Sequence, residues 1–190
     1  MNHKKYTLLI DQDDVLAEYI EGVTKNYNKK YGTHITSKQC TSWDLYKVFG
    51  EKVETVMHEP DLIRELEPTA NALQIFERLY RSNLFDMYIV TAANPKCVPA
   101  KFEWIEKHLP FFPLEHVIVC KCKDKIKGDF LLDDVMHNIE AFKQAGGTPI
   151  IFNRPHNQTQ GEGILRVSDW LSFERLIMEI CYPDKQEEAI

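Results

Sequence analysis

The chain has 190 residues, of which 44% are hydrophobic, and its formal net charge at pH 7 is −6. This composition suits one buried core and disfavours a polynucleotide partner, because binding to a phosphate backbone depends on clustered Lys and Arg. No stretch approaches the roughly 20 apolar residues that span a bilayer, and the N-terminus lacks a signal-peptide pattern, so we expect a cytoplasmic protein with no membrane partner.

The first predicted strand, over residues 8–10, ends in Asp11 and Asp13. Alternation along an extended chain points both side chains to one face. At about 4 Å their repulsion is roughly 4 kcal/mol in an effective dielectric of about 20, and a bound hard cation is the usual compensation. An isolated Asp-x-Asp is also typical of a solvated turn, so a second acidic motif is needed to favour a metal site.

Residues 18–66 interrupt the alternation of strands and helices that follows. Helical spacing of apolar residues after the first strand stops at Gly32, and we predict that 18–66 forms a small helical cap over a core domain of residues 1–17 and 67–190. An amphipathic helix over 69–81 then leads into a strand that ends at Thr91. Thr91 and the small residue Ala92 suit the close approach of backbone amides to an anion.

The next elements supply a lysine and a second acidic pair. A helix over 101–108 and a strand over 116–120 precede a run of alternating lysines, of which Lys123 is the preferred site residue and Lys125 the alternative. A further short apolar strand then ends in two adjacent aspartates, Asp133 and Asp134. Because the carboxyl ends of parallel strands form one crevice, both acidic strand ends should converge there.

The remaining predicted elements are a helix, two short strands and a terminal helix, over residues 135–145, 148–152, 164–167 and beyond 168. The whole pattern predicts an α/β fold with a doubly wound parallel sheet. Arg154 and His156 lie in the connection 153–158, where a surface loop is a more economical interpretation than a phosphate contact. The acidic end, 184–190, is predicted to fray.

The ordered set Asp-x-Asp, Thr, Lys, Asp-Asp resembles the four motifs of the haloacid dehalogenase-like phosphohydrolases over most of the chain. The resemblance is closer to the 5'(3')-deoxyribonucleotidases, whose first motif reads roughly Asp-x-Asp-Gly-Val-Leu-Ala-Asp-Phe. Here residues 11–19 read Asp-Gln-Asp-Asp-Val-Leu-Ala-Glu-Tyr, and residues 66–68, 101–109 and 131–134 also match that family. Asp14 departs from the usual Gly and adds a charge beside the predicted metal site.

This resemblance implies a phosphatase with a Rossmann-like core. Asp11 would attack phosphorus and form an aspartyl-phosphate, and Asp13 would act as general acid and base. Mg²⁺ would be held by the Asp11 carboxylate, the Asp13 backbone carbonyl and a carboxylate of the pair Asp133 and Asp134, with the direct ligand of that pair left open. The residues implied to bind phosphate are Thr91, the amide of Ala92, and Lys123.

Substrate preference should lie in the cap. Tyr19 falls where the family places an aromatic on the base, and Trp43 offers a second planar surface, although aromatics at such spacings are often cap core. The implied substrate is a deoxyribonucleoside monophosphate. Alternatives are a sugar phosphate or phosphoserine and, from a different class, a phospho-accepting signalling domain; the sequence also leaves a homodimer open, and Lys101 and Arg64 stay outside the predicted site.

Overall fold

A computed structural model describes residues 4–183 of the chain. The predicted fraying of 184–190 lies outside these described residues. Among the residues that are described, no helix is both long enough and apolar enough to cross a membrane.

Six parallel strands form the central sheet. They are β1 Tyr6–Ile10, β2 Phe85–Thr91, β3 Val117–Val119, β4 Phe130–Asp133, β5 Thr148–Phe152 and β6 Leu165–Val167. Their order across the sheet is β3-β2-β1-β4-β5-β6, and every neighbouring pair is parallel. After β1 the chain adds β2 and β3 on one side of it and then β4, β5 and β6 on the other, so the strand order reverses between β1 and β4, the switch point at which open α/β sheets bind ligands. The predicted doubly wound parallel sheet is confirmed.

Eight α-helices accompany these strands within the described part of the chain. They are α1 Tyr19–Tyr31, α2 Tyr46–Phe49, α3 Glu54–Met57, α4 Pro60–Arg64, α5 Ala72–Arg81, α6 Val98–His108, α7 Met136–Gln144 and α8 Trp170–Cys181. The helix predicted from residue 69 begins only at Ala72, because Thr69 N–H donates to the Leu16 carbonyl at 2.9 Å and Asn71 adopts φ 62°. Residues 69–71 therefore belong to the connection that leads into α5 and not to the helix itself.

Alternation along the strands sorts the core between two faces of the sheet. On β1, Leu8 and Ile10 join the larger apolar cluster, which includes Trp170 of α8, whereas Leu9 faces a smaller cluster with Phe142 of α7. Successive side chains of a strand point to opposite faces, so helices cover both sides. Such double coverage keeps β1 buried up to the residue where its acidic end begins.

The segment 18–66 leaves and rejoins the sheet at one place. Ala17 and Pro68 form an antiparallel bridge, and Glu18 N–H donates to the Glu67 carbonyl at 2.9 Å. Within the segment, α1 ends where Gly32 adopts a left-handed conformation with φ 65°, as the glycine stop predicts. Both connections therefore run side by side next to the carboxyl end of β1.

Candidate active site

Three aspartates from two neighbouring strands lie together at the carboxyl end of the sheet. Ile10 of β1 is in register with Leu132 of β4, and Asp11 N–H extends this pairing by donating to the Leu132 carbonyl at 3.0 Å. The sheet register thus sets Asp11 beside Asp133. One carboxylate oxygen from each of Asp11, Asp133 and Asp134 lies within 4.8 Å of the others, and all three residues are buried.

Lys123 lies inside this cluster. Its Nζ is 2.7 Å from Asp11 Oδ1 and 2.6 Å from Asp133 Oδ2, and its side chain is 1% exposed. Lys125, the alternative considered from the sequence, is exposed and pairs with its neighbour Asp124. The structure therefore brings Lys123, and not Lys125, to the acidic strand ends.

Asp133 and Asp134 differ in how their oxygens are satisfied. Asp133 Oδ1 accepts from the Val135 amide at 2.8 Å, and both of its oxygens lie within reach of Asn138 Nδ2 at 3.0 and 3.2 Å. Neither oxygen of Asp134 makes an aligned hydrogen bond among the described residues, although the side chain is fully buried and His156 Nε2 lies 2.8 Å from Oδ2. A buried carboxylate without donors is costly, so Asp134 requires a compensating group.

The electrostatics of the cluster favour a cation. Burial, together with the neighbouring carboxylates, raises the pKa of Asp11 and of Asp134 well above their ordinary value. Burial alone would lower the pKa of Lys123, but its ion pairs with Asp11 and Asp133 raise it, so its ammonium remains charged. One ammonium faces three carboxylates, and oxygen ligands suit a hard divalent cation. The residues present therefore fit a metal such as Mg²⁺.

A second ion pair lies beside the first. Lys101 of α6 is buried, and its Nζ lies 2.7 Å from Asp13 Oδ1 and 3.0 Å from Thr91 Oγ1. Sequence reasoning left Lys101 outside the site. A usable signal was present, because Lys101 shares the apolar stripe of α6 with Trp104 and Ile105 at i+3 and i+4, where an unpaired lysine is unfavourable.

A cavity of about 600 Å³ opens over Asp13. The predicted residues that line it are Asp13, Tyr19, Trp43 and Ala92, together with Lys101. The Tyr19 ring lies 6.3 Å from that of Trp43, and its hydroxyl donates to the Met57 carbonyl at 2.8 Å. Trp43 remains 37% exposed, so its ring is available to a molecule in the cavity.

The connection 153–158 is not the surface loop that we predicted. Arg154 makes a bidentate ion pair with Glu18 at 2.9 and 3.0 Å and donates Nε to the Asp14 carbonyl at 2.6 Å. His156 is buried with Nε2 2.8 Å from Asp134 Oδ2, and burial lowers its pKa. The prediction was wrong because the loop returns over β4 and fills the space beside the acidic cluster, a path that local sequence does not encode.

Asp14 occupies a backbone conformation that explains the glycine usual at this position. Its φ is 52°, in the left-handed region, which Asp tolerates better than most residues with a side chain. The Ile20 amide donates to the Asp14 carboxylate, at 3.1 and 3.2 Å from its two oxygens. Asp14 therefore accepts a hydrogen bond from a backbone amide in the first turn of α1. Burial and the nearby Asp134 raise the pKa of Asp14.

Residues 5–181 match the model of one protein family, described as "5' nucleotidase, deoxy (Pyrimidine), cytosolic type C protein". A 5'(3')-deoxyribonucleotidase of Bacillus subtilis is 30% identical over 177 residues, which cover 92% of this chain and 99% of the relative. Two solved structures share the fold. A haloacid dehalogenase-like protein of Agrobacterium tumefaciens has a TM-score of 0.64 at 14% identity and covers 93% and 99% of the two chains. A hydrolase of the haloacid dehalogenase family from Deinococcus radiodurans, solved with bound phosphate and sodium, has a TM-score of 0.62 at 13% identity over 92% and 96%.

Proposed function

The chain belongs to the family of cytosolic type C 5'-deoxynucleotidases, which makes it a phosphoric monoester hydrolase of the haloacid dehalogenase-like superfamily, and we propose that it hydrolyses deoxyribonucleoside monophosphates to deoxynucleoside and phosphate. One observation carries this proposal. A buried cluster of Asp11, Asp133 and Asp134 around Lys123 adjoins a cavity that holds both Asp13 and an exposed aromatic ring, Trp43.

Asp11 is the proposed nucleophile. Its Oδ1 is paired with Lys123 Nζ, and the other oxygen attacks phosphorus in line to give an aspartyl-phosphate while the sugar oxygen leaves. Uncatalysed hydrolysis of phosphate monoesters is so slow that enzymes supply up to about 10²¹-fold. Lys123 contributes by offsetting the charge that repels an anionic nucleophile from a phosphate dianion.

The cation would be held by the Asp11 carboxylate, the backbone carbonyl of Asp13 and a carboxylate of the pair Asp133 and Asp134. When bound, Mg²⁺ would neutralise phosphate charge and orient the phosphoryl group. Support comes from the two oxygens of Asp134, which make no aligned hydrogen bond among residues 4–183, although His156 Nε2 lies 2.8 Å from Oδ2. Asp134 is the stronger candidate for direct ligation, because Asp133 already accepts from an amide, an asparagine and Lys123.

Asp13 is the proposed general acid and base. It would protonate the departing sugar oxygen and then take a proton from the water that cleaves the aspartyl-phosphate. Lys101 is paired with Asp13 and also donates to Thr91. A phosphate held by Thr91, the Ala92 amide and Lys123 would compete with Asp13 for the Lys101 ammonium.

The proposed cap, residues 18–66, would provide recognition of the nucleoside. Tyr19 and Trp43 line the cavity and would contact the base, since stacking on an aromatic ring is worth roughly 1–3 kcal/mol and tolerates different bases. Ribose would be disfavoured wherever its extra hydroxyl meets apolar surface without a partner, at a cost of about 1–3 kcal/mol. Closure by the cap would also exclude water from the acidic cluster.

The five cysteines at positions 40, 97, 120, 122 and 181 are free thiols. Free thiols fit a reducing compartment, which supports the proposed cytoplasmic location. The substrate would be a small nucleotide, and neither a polynucleotide nor a membrane is proposed as a partner. A homodimer stays a prediction.

Phosphate release from a panel of monoesters tests the proposal. We expect Mg²⁺-dependent release from deoxyribonucleoside 5'- and 3'-monophosphates, at least tenfold weaker release from the ribonucleotides, and little from a sugar phosphate or phosphoserine. Asp11→Asn should abolish release, and Asp44→Asn, at a carboxylate elsewhere on the cavity wall, is the matched control. A preference for a sugar phosphate would contradict the substrate but not the phosphatase. Failure to turn over any monoester, with phosphate retained from a small donor, would instead favour the signalling domain.

A further inference from the structure

His156 lies between the acidic cluster and the cavity. Its Nε2 is 2.8 Å from Asp134 Oδ2, and the two side chains are 2% and 0% exposed. Its ring packs against Trp43, with centroids 5.4 Å apart. Two buried heteroatoms this close repel each other unless a proton lies between them, so an ionised Asp134 requires the proton on Nε2.

Among the described residues, no other basic side chain could replace His156 beside the Asp134 carboxylate. The contact between His156 Nε2 and the Asp134 carboxylate is not aligned as a hydrogen bond in this structure, and the imidazole also interacts with the backbone of Asp134. Within residues 4–183, no other Lys, Arg or His nitrogen lies within 4 Å of the Asp134 carboxylate. Asp133, in contrast, is held by Lys123, Val135 and Asn138.

The loop that carries His156 is itself fixed. Asn157 Nδ2 donates to the Asp134 carbonyl at 2.8 Å and to the Phe152 carbonyl at 2.9 Å. Arg166 donates to the Asn157 side chain at 2.8 Å. The imidazole therefore approaches Asp134 from a rigid support.

We propose that His156 is a positioning residue, which orients the Asp134 carboxylate toward the cation shared with Asp11 and Asp133. The inference rests on the proposed function, because it takes the acidic cluster to be a metal site. Carboxylates that bind metals are usually held by outer hydrogen bonds, and loss of such a partner typically costs about 10- to 100-fold in metal affinity.

Two variants separate positioning from packing. His156→Phe keeps a ring against Trp43 but removes both nitrogens, whereas His156→Gln loses the ring but places an amide N–H near the position of Nε2. The control is His108→Phe, because His108 likewise packs on a tryptophan, with 4.6 Å between its ring and that of Trp104, and belongs to α6. Thermal unfolding of each variant checks that it folds.

Binding of Mn²⁺, followed by the electron paramagnetic resonance signal of the free ion, is the primary measurement and needs no substrate. We expect His156→Phe to raise the Kd for Mn²⁺ at least tenfold, His156→Gln to stay within about threefold of the unaltered protein, and His108→Phe to change nothing. The opposite ranking, with Phe tolerated and Gln harmful, would overturn positioning in favour of packing. A nitrogen hyperfine coupling from His156 to bound Mn²⁺ would also overturn it, because His156 would then be a direct ligand.

Phosphate release distinguishes failure of this inference from failure of the proposed function. If Mn²⁺ binding follows the expected ranking but no phosphomonoester is hydrolysed, the positioning role stands and the proposed function fails. If hydrolysis occurs but His156→Phe binds Mn²⁺ normally, only the positioning role fails. Absence of Mn²⁺ binding by the unaltered protein would overturn both.

Discussion

The acidic cluster and the cavity above it are built in different ways. Asp11 and Asp133 follow β1 and β4 at the centre of the sheet, and their side chains are at most 7% exposed. The cavity wall comes partly from short elements of 18–66, where Trp43 and Tyr46 are 37% and 44% exposed. Groups on strand ends are fixed by backbone register, whereas the exposed aromatics depend on a few local contacts. We infer that the cluster sets the reaction and that the cavity sets the choice of substrate.

The largest expected effect would come from breaking the cluster at Lys123. Lys123→Met leaves buried carboxylates without their ammonium, so we expect the metal-free protein to lose about 3–5 kcal/mol of unfolding free energy. Urea unfolding measures this loss, and phosphate release should fall by at least about 10²-fold. Lys125→Met is the matched control, because Lys125 is exposed and pairs with its neighbour Asp124. Equal effects of the two variants would contradict the assignment of Lys123, and not Lys125, to the acidic cluster.

Metal removal and changes in pH also test the acidic cluster. Because the pKa values of Asp11 and Asp134 are raised above the ordinary 3.8, the native state binds protons more tightly than the unfolded chain. That stabilisation is complete below about pH 3.8 and is lost as pH rises through the native values, so the metal-free protein should become less stable with rising pH.

Added Mg²⁺ should reverse this loss. At about 100 times its Kd, a cation that binds only the native state contributes about 2.7 kcal/mol, which corresponds to a rise in Tm of roughly 5–10 °C for a chain of this size. Thermal scans at pH 5.5 and pH 8 should show the larger rise at pH 8, where protons compete less. Asp134→Asn should reduce the rise at both pH values, and an unchanged rise would argue against Asp134 as a ligand.

Substitution of Trp43 tests whether the cavity sets the choice of substrate. Trp43→Ala should lower kcat/KM for a deoxyribonucleoside monophosphate by about 5- to 100-fold, which is the loss of one base stack, and should leave the low kcat/KM for deoxyribose 5-phosphate unchanged. Tyr46→Ala provides the comparison within the same wall, because Tyr46 lines the cavity but its hydroxyl is engaged with Glu54. An equal loss with both substrates would show that Trp43 stabilises the fold of residues 18–66 and does not stack on the base.

Asp14 should give the smallest effect. Asp14→Gly keeps the left-handed backbone at φ 52° and removes the contact of the carboxylate with the Ile20 amide, so we expect a loss of only about 0.5 kcal/mol in unfolding free energy. Asp14→Ala should cost a further 1–2 kcal/mol or so, because a β-carbon is unfavourable in that conformation. Chemical denaturation of both variants measures the difference, and equal stabilities would contradict the role of the backbone.

Sequence patterns predicted the residues that follow directly from strand register. The two acidic strand ends were predictable because parallel strands share one edge, and the order of motifs distinguished Lys123 from Lys125. The contact of Lys101 with Asp13 was not predicted, because α6 and β1 are separated along the chain and no short motif links them. His156 was missed for a related reason, since its contact depends on the path of a loop rather than on periodicity. Both missed residues are buried polar groups, and their partners emerge only in three dimensions.

Trapping the covalent intermediate tests the central claim most directly. Protein quenched during turnover of a deoxyribonucleoside monophosphate and reduced with borohydride would convert an aspartyl-phosphate to homoserine, which peptide mass spectrometry can locate. The account predicts homoserine at position 11, and none in protein treated without substrate. Homoserine at another aspartate, or an unmodified Asp11 while substrate is consumed, would contradict it.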